Sequence, residues 1–90
     1  MNDISLPTDL DGWRRRIDKI NAKLVALLNQ RATCAVQIGK IKRKKGLPIF
    51  DPAREDHILE KVLGENRGPL GKEAIARIFK TIMEENRALE

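Results

Sequence analysis

No tyrosine occurs among the 90 residues, and only Trp13, Phe50 and Phe79 are aromatic. The chain therefore has few of the stacking surfaces on which single-stranded nucleic acids are held. One cysteine, Cys34, excludes an intrachain disulfide, and no His/Cys cluster has the spacing of a zinc site. No apolar run approaches the roughly 20 residues of a membrane helix, and no segment reads as a secretory signal. The expected setting is the reducing cytoplasm, without membrane or nucleic-acid partners. Ninety residues make one domain at most, here residues 1–90. A core of that size stabilises a monomer only marginally, so oligomerisation is a natural supplement.

Charge, by contrast, is plentiful. Eighteen Lys and Arg stand against thirteen Asp and Glu, a formal charge of +5 that favours an anionic partner. Much of it falls within Trp13 to Lys45, a stretch without proline and with Gly39 as its only glycine. Steps of four and three from Trp13 give Ile17, Ile20, Leu24, Leu27, Arg31, Cys34, Ile38 and Ile41. This is an apolar helical seam with one intruder, Arg31. The adjacent stripe runs from Arg14 through Val25, Leu28, Ala32, Ala35 and Gly39 to Lys42. Cys34, on the seam with no evident base beside it, reads as a small buried hydrophobe.

The order of elements follows from stop and start signals. Residues 1–8, with Pro7, read as a flexible leader, and Asp9 or Asp11 can cap the first helix, expected over about 11–45. Such a helix would be roughly 50 Å long, whereas a compact domain of this size is only about 30 to 35 Å across. A second copy of the chain is the most economical cover for the excess, which predicts an all-α, intertwined helical homodimer with three helices per chain. Gly46 and Pro48 end the first helix, and Asp51-Pro52 starts a second over 52–64. Its inner side carries Ile58, Leu59, Val62 and Leu63. After Gly64, Gly68, Pro69 and Gly71, a third helix is expected over 72–90, with an inner seam of Ile75, Phe79, Ile82 and Met83 that continues into Asn86 and Glu90. His57 reads as a surface or half-buried helix residue.

Cations on an apolar seam need internal carboxylates or a bound anion, because an unpartnered buried charge is very costly. Arg31 and Lys42 fall within about 20° of one helix face and roughly 16 Å apart, so a small carboxylate-bearing ligand would fit between them. Arg14 lies about 25 Å from Arg31 along the same rod, too far to converge within one chain. If it serves that pocket, it comes from the partner. The alternative is that Arg31 pairs with an internal carboxylate while Lys42 and Arg14 reach out to water. Asp51, Arg54 and Glu55 form a further cluster at a helix N-terminus, where free backbone N–H groups favour anions.

Arg14, the run from Arg31 through Gly39-Lys40-Ile41-Lys42, and Asp51-x-x-Arg54-Glu55 together resemble the all-α (AroQ-type) chorismate mutases of the shikimate pathway. The likeness extends from Trp13 to Glu90. It implies an isomerase that converts chorismate to prephenate in phenylalanine and tyrosine biosynthesis, with active sites shared between the two chains of a dimer. By position, Arg14 of the partner subunit and Arg31 would bind the two substrate carboxylates, since a guanidinium offers a bidentate fork. Lys42 would donate to the ether oxygen and a carboxylate. Glu55, assisted by the backbone near Asp51, would accept from the ring hydroxyl, and Arg54 would add positive charge. Asn86 falls where the family carries a small polar residue. Glu90 falls where it carries Gln or Glu facing the ether oxygen, and must be protonated to donate there.

The implied reaction is a concerted rearrangement needing no nucleophile, general base or cofactor. Related isochorismate-pyruvate lyases share the scaffold, but the Asp51-x-x-Arg54-Glu55 cluster favours the mutase. A basic nucleic-acid-binding module, suggested by Lys40, Lys42, Arg43, Lys44 and Lys45, competes with the simpler reading of a solvated helix end that suits the helix dipole. The position of Glu90 at the end of the sequence raises the question of fusion to a prephenate dehydratase or similar module.

Overall fold

A computed structural model describes residues 6–90 of the chain. The first five residues of the expected leader lie outside the described residues, and Leu6 to Thr8 are non-helical. Among the described residues there are three helices and no strand: α1 (Leu10–Lys45), α2 (Pro52–Glu65) and α3 (Lys72–Arg87). The chain divides into two compact units, Met1–Gln30 and Arg31–Glu90.

The described part of the first unit is the beginning of α1 with its cap. Asp9 is the capping residue: its carboxylate accepts from the Gly12 N–H at 2.9 Å, and its carbonyl accepts from Trp13 at 3.2 Å. The seam residues here are exposed, from 42% at Trp13 to 59% at Leu27, with Ile17, Ile20 and Leu24 between. Arg16 stacks its guanidinium over the Trp13 ring at 5.8 Å.

In the second unit α1 ends as the sequence predicts. Gly46 takes φ +69°, a left-handed conformation that side chains disfavour. Its N–H donates to Arg43 at 3.3 Å, and the Leu47 N–H donates to Lys42 at 2.8 Å. This paired reversal satisfies carbonyls that the helix end would leave open. Asp51 caps α2 by accepting from the Arg54 N–H at 3.1 Å, with Pro52 at the first helical position. α2 packs on α3. The α2 residues Ile58, Leu59, Val62 and Leu63 are half-buried, as are Ile75, Phe79 and Ile82 of α3. Among the described residues few are buried: Ala35 and Gly39 of α1, and Met83 and Asn86 of α3.

Two expectations are corrected here. α3 ends at Arg87 rather than running to residue 90. Leu89 donates to the Asn86 carbonyl and Glu90 to that of Arg87, so the last turn is tightened. Cys34 is exposed rather than buried, because the seam around it is not covered within this chain. His57 is exposed, in line with its reading as a surface residue.

Gly46→Ala should lower stability by about 1 kcal/mol, through the left-handed backbone alone. Urea denaturation at fixed protein concentration measures this; an unchanged midpoint would contradict the role given to Gly46.

Candidate active site

A cleft of about 350 Å³ opens within the second unit. That volume suits a small metabolite. Arg31, Cys34, Ala35, Ile38 and Lys42 of α1 form one wall. Asp51, Arg54, Glu55 and Ile58, at and after the start of α2, form a second, with Ile49 before them. Met83, Asn86 and Glu90 close it from α3 and the turn beyond. Seven of the eight sequence-predicted site residues are thus brought together: Arg31, Lys42, Asp51, Arg54, Glu55, Asn86 and Glu90. The eighth, Arg14, lies exposed in the first unit and is not part of the cleft.

Arg31 finds an amide, not a carboxylate. Its guanidinium donates to Oδ1 of the buried Asn86, and no acidic residue pairs with it among the described residues. The expected alternative, an internal ion pair at Arg31, is therefore not what the chain builds. The amide orients the guanidinium without neutralising it. Arg54 likewise lines the cleft with no carboxylate partner among the described residues.

Lys42 turns inward instead of reaching to water. Its side chain is 18% exposed, and Nζ donates to the Ile49 carbonyl at 2.7 Å and to Oε1 of Glu90 at 2.8 Å. An ammonium has three N–H donors, so one remains for a ligand. The Glu90 side chain is 13% exposed, and its main-chain oxygen accepts from Arg43.

Glu55 is held from behind. Arg87, at the end of α3, donates to Oε2 of Glu55 while its guanidinium lies over the Phe50 ring at 4.5 Å. Oε1 is left available to accept from a ligand hydroxyl. Neither Arg87 nor Arg43 was singled out from the sequence. The signal for Arg43 is its position one residue past Lys42, on the same side of α1 as Gly39. Arg87 carries no comparable sequence signal, since its partner is 32 residues away.

Among the described residues no group of three or more His, Cys, Asp or Glu side chains is arranged to hold a metal ion. No helix among them is long and apolar enough to cross a membrane. What the cleft offers is two guanidiniums and an ammonium, three carboxylates, and apolar side chains between them. Fold and site together define an all-α protein with a cleft lined by Arg31, Lys42 and Arg54 and by Asp51, Glu55 and Glu90.

Comparison with known proteins narrows this class: the chain belongs to the chorismate mutase type II family, whose model matches residues 13–90. The bifunctional chorismate mutase/prephenate dehydratase of Aquifex aeolicus is 40% identical over 86 residues, which span 91% of this chain and 24% of that protein. This chain thus covers about a quarter of such bifunctional relatives. The chorismate mutase of Methanocaldococcus jannaschii is 33% identical over 85 residues, spanning 86% of this chain and 79% of that protein. The solved structure of a chorismate mutase from Thermus thermophilus superposes with a TM-score of 0.83 at 33% identity, covering 84% of this chain and 95% of that one.

The Arg87–Glu55 contact is only partly exposed, with 28% and 25% of the two side chains accessible. A double-mutant cycle of Arg87→Ala and Glu55→Gln should give a stability coupling of about 1 kcal/mol. Additive effects in urea denaturation would mean that the pair does not hold Glu55.

Proposed function

We propose that this chain rearranges chorismate to prephenate, in the cytoplasm, as a homodimer whose two active sites each draw on both subunits. The observation that carries the reading is Arg31: a cation on the cleft wall whose internal partner is a neutral amide. A dianionic substrate supplies the missing negative charge.

In the reaction one C–O bond breaks as one C–C bond forms, within a single cycle of electrons. No proton has to move and no covalent intermediate is needed. The protein's task is to hold the compact reactive conformer and to stabilise negative charge at the departing ether oxygen. Arg31 grips one carboxylate by its fork. Arg14 of the partner subunit grips the other, since Arg14 of the same chain does not line the cleft. Lys42 directs its remaining N–H to the ether oxygen, where charge appears only as the bond breaks. Arg54 adds positive charge beside it. Glu55 accepts from the ring hydroxyl through Oε1, next to the Asp51 backbone. Asn86 keeps Arg31 in place and can add a hydrogen bond of its own. Glu90, whose carboxylate accepts from Lys42, holds that ammonium beside the ether oxygen.

The dimer is supported by the exposed seam of α1. Withdrawing a large apolar side chain from water contributes about 1.5–3 kcal/mol, and five such residues from Trp13 to Leu27 are 42 to 59% exposed in the single chain. Sedimentation equilibrium tests the oligomer. The names of the bifunctional relatives raise linkage to a prephenate dehydratase, which the length of the complete reading frame decides.

Chorismate loss, followed in the ultraviolet, tests the activity. Lys42→Ala should lower kcat by about 10²- to 10³-fold, as loss of a donor aimed at developing charge does. Wild-type turnover in that variant would refute the assignment. Glu90 yields a second expectation: Glu90→Ala, which frees the Lys42 ammonium from its partner, lowers kcat. Wild-type kcat in that variant would exclude a role for Glu90.

A further inference from the structure

The cleft is completed by a residue beyond the end of α3, tied back to that helix by its N–H, which donates to the Arg87 carbonyl at 3.0 Å. Glu90 also sits against α1, and the reason lies at Gly39. A Cβ built on Gly39 would fall 2.7 Å from the Glu90 Cα, 2.7 Å from its main-chain oxygen and 3.0 Å from its Cβ. Two of these three atoms belong to the backbone, so no side-chain rotation relieves the overlap. Gly39 is buried inside α1, before its last turn, where glycine is a poor helix former and alanine a good one. Local structure does not ask for glycine there; the approach of Glu90 does.

Lys42 and Arg43 stand three and four residues further on, which places all three on one face of the helix. Lys42 donates to the Glu90 carboxylate at 2.8 Å and Arg43 to its main-chain oxygen. We infer that Gly39 is a positioning residue for the proposed reaction: its missing side chain forms the seat into which the Glu90 backbone settles, and Arg43 clamps that backbone so that the Glu90 carboxyl meets Lys42 in the cleft. Neither Gly39 nor Arg43 lines the cleft; both act through Glu90. This inference rests on the mutase reading, and its test separates the two.

In Gly39→Ala the new methyl displaces Glu90 by on the order of 1 Å, a misplacement that can cost about 10²-fold. The loss should fall on kcat, with KM changed by less than about twofold, because the ether-oxygen contact strengthens only in the transition state. The thermal midpoint should stay within about 2 °C of wild type or rise, since alanine favours the helix. In a Glu90→Ala background the same substitution should cost nothing more. Arg43→Ala, at an exposed position, should lower kcat severalfold, and Arg43→Lys should restore it. Wild-type kcat in Gly39→Ala, or losses that multiply when Gly39→Ala and Glu90→Ala are combined, would overturn the inference.

If wild-type protein turns over no chorismate, the mutase reading fails and the seat is read by NMR alone. The Glu90 amide and Arg43 Nε resonances should then both move in Gly39→Ala. Resonances that stay in place would overturn the seat itself.

Discussion

A guanidinium set into an apolar helix seam is the constraint from which the rest of this structure follows. Moving Arg31 out of water without a compensating charge is costly. The most economical remedy within a chain is a carboxylate opposite it. Here Asn86 stands opposite instead, buried on α3, and it fixes the direction of the guanidinium while leaving its charge uncompensated. The carboxylates of the cleft are engaged elsewhere: Glu55 with Arg87, Glu90 with Lys42, and Asp51 with the N-terminus of α2. The positive charge at Arg31 and Arg54 is thus held open toward the cleft. In the proposed function, stability foregone at those positions becomes affinity for an anion.

The same economy explains how a rigid site is assembled from loosely buried elements. Only four of the described residues are buried, yet each wall of the cleft is tied to another by a charge-assisted contact. Lys42 joins the end of α1 to the Ile49 carbonyl and to Glu90; Arg87 joins α3 to α2 across the Phe50 ring. Such contacts between charged partners are stronger and more directional than neutral hydrogen bonds. They hold geometry where packing alone does not.

Much of this was legible in the residues. Asp51-Pro52 and Gly46 set helix ends through backbone chemistry that acts locally, and both ends fall where expected. Arg31 and Lys42 declared themselves because a cation breaks an apolar period. What the sequence could not carry was set by contacts distant along the chain. The early end of α3 contains no breaker: Ala88 and Leu89 would continue a helix, and the tightened turn accompanies the docking of Glu90 on α1. Arg87 meets Glu55 and Phe50, both distant from it along the chain. Cys34 was read as buried because periodicity shows which face is apolar, not whether this chain alone covers it.

The central claim is that the cations of α1 serve a cleft completed by a second copy of the chain. Its most direct test is a mixture of two inactive variants, Arg14→Ala and Arg31→Ala, denatured together and refolded as mixed dimers. If each site takes Arg31 from one chain and Arg14 from the other, one of the two sites in a mixed dimer carries both arginines, and chorismate turnover should return to about a quarter of the wild-type rate, from half the dimers with one intact site each. Turnover no greater than that of the separately refolded variants would contradict the account.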